Sequence, residues 1–347
     1  MAGRRQFLAG MAVLPFALAG CQFVKSESPS PVTTADQAAF PVTVKHAFGS
    51  TVINKEPKRI ATLGLGSNDI CLALGVAPTA MPLSGAQPNG STPWFDLAFH
   101  PFGLESPLLL DESKGLPVDD LKGMGPDLIL AVHSRLTRSQ YEELSAIAPV
   151  VAYPDGPMAT DWRSSLALVG QALARPAEAA KVLAETEESI RAGLSDYPDL
   201  PGTDFVVAKV RSALGADFEV FGDDSNPVRI IKEYGLTSSP SLTLVKESGR
   251  RVDPSPGSEE IYAWPEGRAA ELSSAVAVFS VKREETTEIK SSGVLDAVPA
   301  HKAGNFVLAD SADTGLALET ASCLSVKWLS RTLVPELART AYGAKHG

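Results

Sequence analysis

From residue 40 onward, short apolar runs alternate with amphipathic stretches. The segment "VTVKHAFGSTVI" (42–53) has a two-residue period on either side of Ala47-Phe48-Gly49-Ser50 and predicts a hairpin. The run 60–63 predicts a strand, followed by the turn Gly64-Leu65-Gly66 and a helix over 67–75. A strand over 79–82 and a Pro/Gly loop, "PLSGAQPNGSTPWFD", come next. "PDLILAV" (126–132) predicts a buried strand, "LTRSQYEELSAIA" an amphipathic helix with Thr137 as N-cap, and "APVVAY" a further strand. Short apolar strands separated by helices imply a mostly parallel sheet covered on both faces.

Two helical patterns follow, over 160–174 and 176–194, separated near Pro176. The second places Ala180, Leu183, Ile190 and Leu194 on one broad face. Strand and helix patterns then resume: "DFVVAKV", "DFEVFG", a helix over 226–234, "SSAVAVFS", "NFVLAD", and helices through 318–341. The pattern predicts an α/β protein of two Rossmann-like lobes joined by a single long helix. The boundaries drawn are 40–175 for the N-terminal lobe, 176–195 for the linking helix and 196–347 for the C-terminal lobe.

The first residues have a different character. "MAGRRQFLAGMAVLPFALAGC" has a basic start, an apolar run shorter than the roughly 20 residues a bilayer needs, and a small-residue end. It reads as a signal peptide over 1–20. "RRQFL" resembles a twin-arginine export motif and "LAGC" a bacterial lipobox, which makes Cys21 the lipidated residue. The Pro/Ser-rich stretch up to residue 39 reads as a flexible tether. These features place the body on the outer face of the bacterial cytoplasmic membrane, held by lipid.

The chain has 31 basic and 41 acidic residues, a net charge of −10; loss of Arg4 and Arg5 with the signal would take it to −12. That balance argues against nucleic acid as a partner, and an anionic ligand would need a local basic cluster. Cys71 and Cys323 are expected as buried free thiols. The five histidines are scattered without metal-ligand spacing, so no metal site is assigned.

The strand–glycine–helix order around Gly64 raises the question of a dinucleotide site. The third close-approach glycine of that fingerprint would fall at Asp69, and no acid occurs between Asp69 and Asp96 to hold a ribose. The turn nonetheless sits at the carboxyl end of a strand, where α/β sheets place ligands.

Several segments, in order, resemble the helix-linked class of periplasmic binding proteins, specifically ferric-siderophore-binding lipoproteins of ABC importers. They are "VTVKHAFGSTVINKEPKRIATLG", "LALGVAP", "PDLIL", "LTRSQYEELSAIAPVVAYPDGP" and "LALETASCLSVKWLSRTLVPEL". The resemblance implies a ligand cleft between the two lobes, and a monomer with limited hinge motion. It would capture a ferric siderophore and deliver it to an ABC permease. The iron would be held by the chelator, so no cofactor is implied, and the protein would not be an enzyme.

Such a cleft needs cations for chelating oxygens and aromatics for the organic shell. The candidates after strands are Ser67, Asn68, Trp94, His133, Ser134 and Arg135 in the first lobe. Similar proteins often have Ser-Gly where this chain has Ser134-Arg135. Arg163 stands where the long helices begin, and Lys209, Arg211 and Phe221 come from the second lobe. Tyr262 and Trp264 are assigned to core. The resemblance places the permease-docking acids at Asp119 and Glu266. Alternatives are a haem or cobalamin binder of the same fold, an envelope scaffold without ligand, and an exported cofactor-dependent enzyme. No G-x-S-x-G elbow, P-loop or Cys/His pair supports the last of these.

Overall fold

The hairpin at the start of the body forms as β1 (Val42–His46) and β2 (Gly49–Ile53), paired antiparallel with His46 opposite Gly49. This is a computed structural model, describing residues 39–85, 87–211, 215–309 and 312–347. The signal, Cys21 and most of the tether lie outside the described residues.

Strand β3 (Ile60–Thr62) leads through the glycine turn to α1 (Ser67–Ala73) and then β4 (Ala80–Pro82). The Pro/Gly loop ends earlier than its composition suggests. Thr92 accepts from the Phe95 N–H and Pro93 occupies the first turn of α2 (Pro93–Phe99), a favourable helix start inside a turn-rich stretch. Next come β5 (Leu108–Leu110), α3 (Val118–Met124), β6 (Leu128–Ala131) and α4 (Arg138–Ser145). Thr137 caps α4 in a reciprocal box with Gln140. Strand β7 (Val150–Ala152) completes a parallel five-stranded sheet in the order β5-β4-β3-β6-β7.

Helix α5 (Trp162–Ala172), capped by Asp161, is followed by α6 (Pro176–Asp196). At 1.5 Å per residue the 21 residues of α6 extend about 32 Å, enough to reach across both lobes.

The second lobe opens with β8 (Asp204–Val210), β9 (Phe218–Phe221), α7 (Asn226–Lys232), β10 (Thr237–Ser238) and α8 (Ser241–Ser248). It continues with β11 (Arg250–Arg251), β12 (Ile261–Trp264), β13 (Val276–Val281), α9 (Thr286–Ser292), α10 (Pro299–Lys302) and β14 (Phe306–Ala309). Three helices close it: α11 (Ala312–Thr320), α12 (Cys323–Thr332) and α13 (Val334–His346). Its sheet is mixed, in the order β11-β12-β9-β8-β13-β14, with β10 beside the start of β8. Strands β8, β13 and β14 run parallel, while β9 is antiparallel to β8.

One hydrophobic core crosses the lobe boundary. Ile70, Cys71 and Trp94 of the first lobe share it with Val169 and Ile190 of the long helices and Phe205, Val326 and Leu329 of the second. Each fully buried side chain of this kind stabilises by roughly 1.5–3 kcal/mol, so wide separation of the lobes along this seam is costly. The outer faces of the two sheets have their own cores. Tyr262 and Trp264 are buried on β12 in the second of these, as core residues. Cys71 and Cys323 are both buried free thiols, and burial pushes the Cys323 thiol up to about 12.

Candidate functional site

The loops after β3, β4, β5 and β6 form one wall of a cleft. Gly64 has φ +73, and a Cβ there would stand 2.3 Å from the His133 carbonyl oxygen. Glycine therefore lets the loop after β3 lie directly on the loop after β6, where the Leu65 N–H donates to the His133 carbonyl at 2.9 Å. The Gly64 N–H donates to Glu112 at 3.0 and 3.3 Å. Two amides of the turn that resembled a phosphate cradle, those of Gly64 and Leu65, are thus committed to protein groups.

A cavity of about 350 Å³ opens beside it, walled by Leu65, Leu83, Leu116 and Met158 and edged by Glu112, Ser134, Arg135 and Gln140. A smaller cavity of about 160 Å³ shares Gly64, Leu65, Pro82 and Leu83 with it. That one runs between the lobes, past Asn68, Asp69 and Trp94 to Leu316 and Thr320 of α11. A larger apolar groove, about 420 Å³, lies elsewhere, between α5 and α6 beside Ala39 and Val42. The cleft is the better functional candidate, because it lies at the strand carboxyl ends of the first lobe, reaches α11 of the second and carries polar groups.

The lobes meet at several polar points. Asn226 at the start of α7 donates its side-chain amide to the Thr160 carbonyl at 3.1 Å and lies 3.4 Å from His133 Nδ1. The Glu259 N–H donates to the Pro157 carbonyl at 3.2 Å, and Glu259 Oε1 accepts from the Asn226 N–H at 3.1 Å. Gln87 donates to Asp313 at 3.0 Å, and Arg135 stands 3.9 Å from Asp253. Beside α1, Asp69 Oδ2 accepts from Trp94 Nε1 at 2.7 Å and from the Ser322 hydroxyl, the N-cap of α12, at 2.5 Å. Asn68 donates to its other oxygen at 3.1 Å.

Burial shifts the titration of these groups. Asp69 and Glu259 are each pushed up to about 7 by desolvation, against hydrogen bonds that favour the charged form. Desolvation lowers His133 to about 4, which keeps it neutral, and raises Glu112 above the usual carboxylate range. His133 Nε2 and the Ser67 hydroxyl are buried without a protein partner.

The structure gathers some of the sequence candidates and separates others. Asn68, Trp94, Ser134 and Arg135 line the two cavities. Trp94 is almost wholly buried and offers the cleft only an edge, its ring 6.3 Å from that of Trp328. Ser67 and His133 lie buried beneath the wall. Lys209 reaches the cleft side of the second lobe but pairs with Glu319 at 2.9 Å. Arg211 pairs with Glu219 on the neighbouring strand at 3.3 Å.

Two expectations need correction. Arg163 does not face the cleft: it lines the α5–α6 groove, stacks on Trp162 and binds Glu187 and Glu233. Phe221 is buried in the core against α7, because β9 turns that side chain inward. Of the proposed docking acids, Asp119 is exposed on the first turn of α3, and Glu266 is half-buried and accepts from the Gly215 N–H at 2.7 Å. The sequence reading missed Glu112, Asp253, Glu259 and Glu319. Among the described residues, no group of three or more His, Cys, Asp or Glu is placed to hold a metal ion.

The sequence pattern of the family described as periplasmic binding protein matches residues 60–238. Among solved structures, Streptococcus pneumoniae TIGR4 PiaA in complex with ferrichrome superposes with a TM-score of 0.74 at 23% identity, covering 87% of this chain and 99% of that one. A periplasmic solute binding protein from Mycobacterium smegmatis gives 0.70 at 25% identity, covering 86% and 98%. Staphylococcus aureus SirA complexed with staphyloferrin B gives 0.64 at 18%, covering 86% and 97%. No curated protein matches the sequence.

Proposed function

The chain belongs to the periplasmic binding protein family, and from that premise we propose that it captures a ferric siderophore outside the cytoplasm and hands it to an ABC permease. The observation that carries this reading is the cleft at the strand carboxyl ends of the first lobe. Its 350 Å³ cavity has apolar walls for an organic shell and polar groups at its edge, and the adjoining 160 Å³ cavity reaches Leu316 and Thr320 of the second lobe. PiaA in complex with ferrichrome and SirA complexed with staphyloferrin B share the fold, which supports the reading. The iron would arrive as cargo inside its chelator, so the protein supplies shape and hydrogen bonds. We assign Asn68, Ser134 and Arg135, with Glu112 and Gln140, to ligand contact, and Lys209 to the opposite wall.

Titration of tryptophan fluorescence against ferric hydroxamates, catecholates and carboxylates, haem and cobalamin tests the reading. Saturable quenching by a ferric chelate supports it. Quenching by haem or cobalamin alone would replace it. The same proposal holds that Cys21 carries lipid and that Asp119 and Glu266 dock on the permease. Cys21→Ser should abolish metabolic lipid labelling. Asp119→Arg or Glu266→Arg should impair uptake at unchanged ligand affinity, since the introduced charge acts after capture.

A further inference from the structure

An anionic chelate held by an acidic protein requires a cluster of free cations. Among the described residues, the cleft does not form one. Lys209 is neutralised by Glu319 at 2.9 Å, and Arg211 by Glu219 at 3.3 Å. Arg135 faces Asp253 across the cleft at 3.9 Å. Arg251, behind that loop, hydrogen-bonds the Ser258 and Glu259 carbonyls and lies over the Tyr262 ring. Arg163 is committed to Glu187 and Glu233 at the long helices. Glu259 lies close enough to Glu319 and Lys209 of its own lobe and to Arg135 of the other for their charges to act on it.

Glu112 adds to the negative side. Its carboxylate edges the apolar cavity and accepts from the Gly64 N–H, and among the described residues no cation stands within salt-bridge distance of it. A carboxylate in apolar surroundings with one donor retains acceptor capacity directed at whatever fills the cavity. From this arrangement we infer that the cleft selects ferric chelates of zero or positive charge, with Glu112 as the specificity-determining residue that receives a ligand N–H or ammonium donor. The inference rests on the siderophore reading and narrows it, from any ferric chelate to those without excess negative charge. Tris-catecholates and polycarboxylates would meet Glu112 and Asp253, and the cation at the cavity edge, Arg135, already stands 3.9 Å from Asp253. Neutral trihydroxamates, rich in amide N–H groups, would not.

The experiment compares three probes by tryptophan quenching at moderate salt. They are a neutral ferric trihydroxamate (ferrichrome), a ferric trihydroxamate bearing a free ammonium, and a trianionic ferric tris-catecholate. The neutral and cationic probes should bind, and the anionic probe should bind about a hundredfold more weakly. Glu112→Gln, which keeps an acceptor for the Gly64 N–H, should cost the cationic probe about tenfold and the neutral probe about threefold or less. Asp253→Asn, which frees Arg135, should improve binding of the anionic probe. The charge rule is overturned, with the siderophore reading intact, if the tris-catecholate binds as tightly as the hydroxamates. It is overturned equally if Glu112→Gln weakens all three probes alike, which would mark Glu112 as a loop support only. Binding of none of the three removes the siderophore reading itself, and the charge rule falls with it.

Discussion

Asp69 and Glu259 are both buried, both pushed up to about 7 by desolvation, and both close to the boundary between lobes. Their surroundings differ. Asp69 receives three side-chain donors, Asn68, Trp94 and Ser322, and the last comes from the other lobe. Around it lies the continuous core of α1, α2 and α12. Glu259 receives a backbone N–H from Asn226 and otherwise faces side chains of both signs on the cleft side. The first is held by side-chain donors of both lobes where the apolar seam meets the smaller cavity; the second is buried among charged side chains of both lobes. The contrast predicts that the seam acts as a pivot and that the cleft side parts and closes.

The largest effect that would break this comparison is on stability. Asp69→Ala leaves buried donors on Trp94 and Ser322 without an acceptor and should cost about 2–5 kcal/mol in denaturant unfolding. Glu259→Ala removes a desolvated group with one backbone partner and should cost about 1 kcal/mol or less. Equal losses would mean that both sides are equally fixed.

Next in size is a wedge. Gly156 packs against Gly257 of the other lobe so closely that a Cβ would lie 2.1 Å from the Gly257 carbonyl oxygen. Gly156→Val cannot be absorbed within two backbones, but the cleft side can relieve it by opening around the seam. We expect a larger radius of gyration by small-angle scattering and weaker chelate binding, with a stability loss of about 1–3 kcal/mol. An unchanged radius with a larger loss of stability would show that the cleft side is welded as well.

Much of the frame around this comparison was readable in the sequence. Periodicity located β6 and α4, and Thr137 with Gln140 marked the start of α4. Helix α2 was hidden because Pro and Gly dominate its approach, although Thr92-Pro93 is a favourable start. The site was less readable for a different reason. Ser322 meets Asp69 across 253 residues, and Glu112 reaches Gly64 across 48, so no local spacing announces either. Arg163, Lys209 and Arg211 were visible as cations, but their carboxylate partners lie on other elements. Residue type suggested a basic cluster, and only the fold shows each charge answered. Phe221 illustrates a parity problem: a strand-end aromatic faces ligand or core according to the side on which the sheet is covered.

A smaller effect concerns pH. The folded value of Asp69 lies above that of an unfolded aspartate, about 3.9. Between about 4 and 7 the folded state therefore binds more protons than the unfolded one, and stability falls as pH rises through that window. The slope approaches at most about 1.4 kcal/mol per pH unit for one group. Asp161, Asp223, Asp253 and Glu260 are held below their usual values by hydrogen bonds and cations, and act in the opposite sense at more acid pH. Asp69→Asn should flatten the slope between pH 4 and 7. An unchanged slope in that variant would assign it elsewhere.

The smallest effect sharpens the contrast most. His133 is held neutral near pH 7, whereas Asp69 and Glu259 are each pushed up to about 7, and of these two Glu259 stands among the charged side chains of the cleft side. A neutral chelate that displaces water from Glu259 deepens its desolvation and raises its proton affinity further, so binding at pH 7 should take up a fraction of a proton. A cationic chelate favours the charged carboxylate and should release one instead. Calorimetric titrations in buffers of different ionisation enthalpy read this exchange directly. Glu259→Gln should abolish it for both ligands. Asp69→Asn should leave it in place, because the Asp69 donors belong to the seam and are present with or without ligand. If Asp69→Asn removes the exchange and Glu259→Gln does not, the pivot and the ligand-facing side have been assigned the wrong way round.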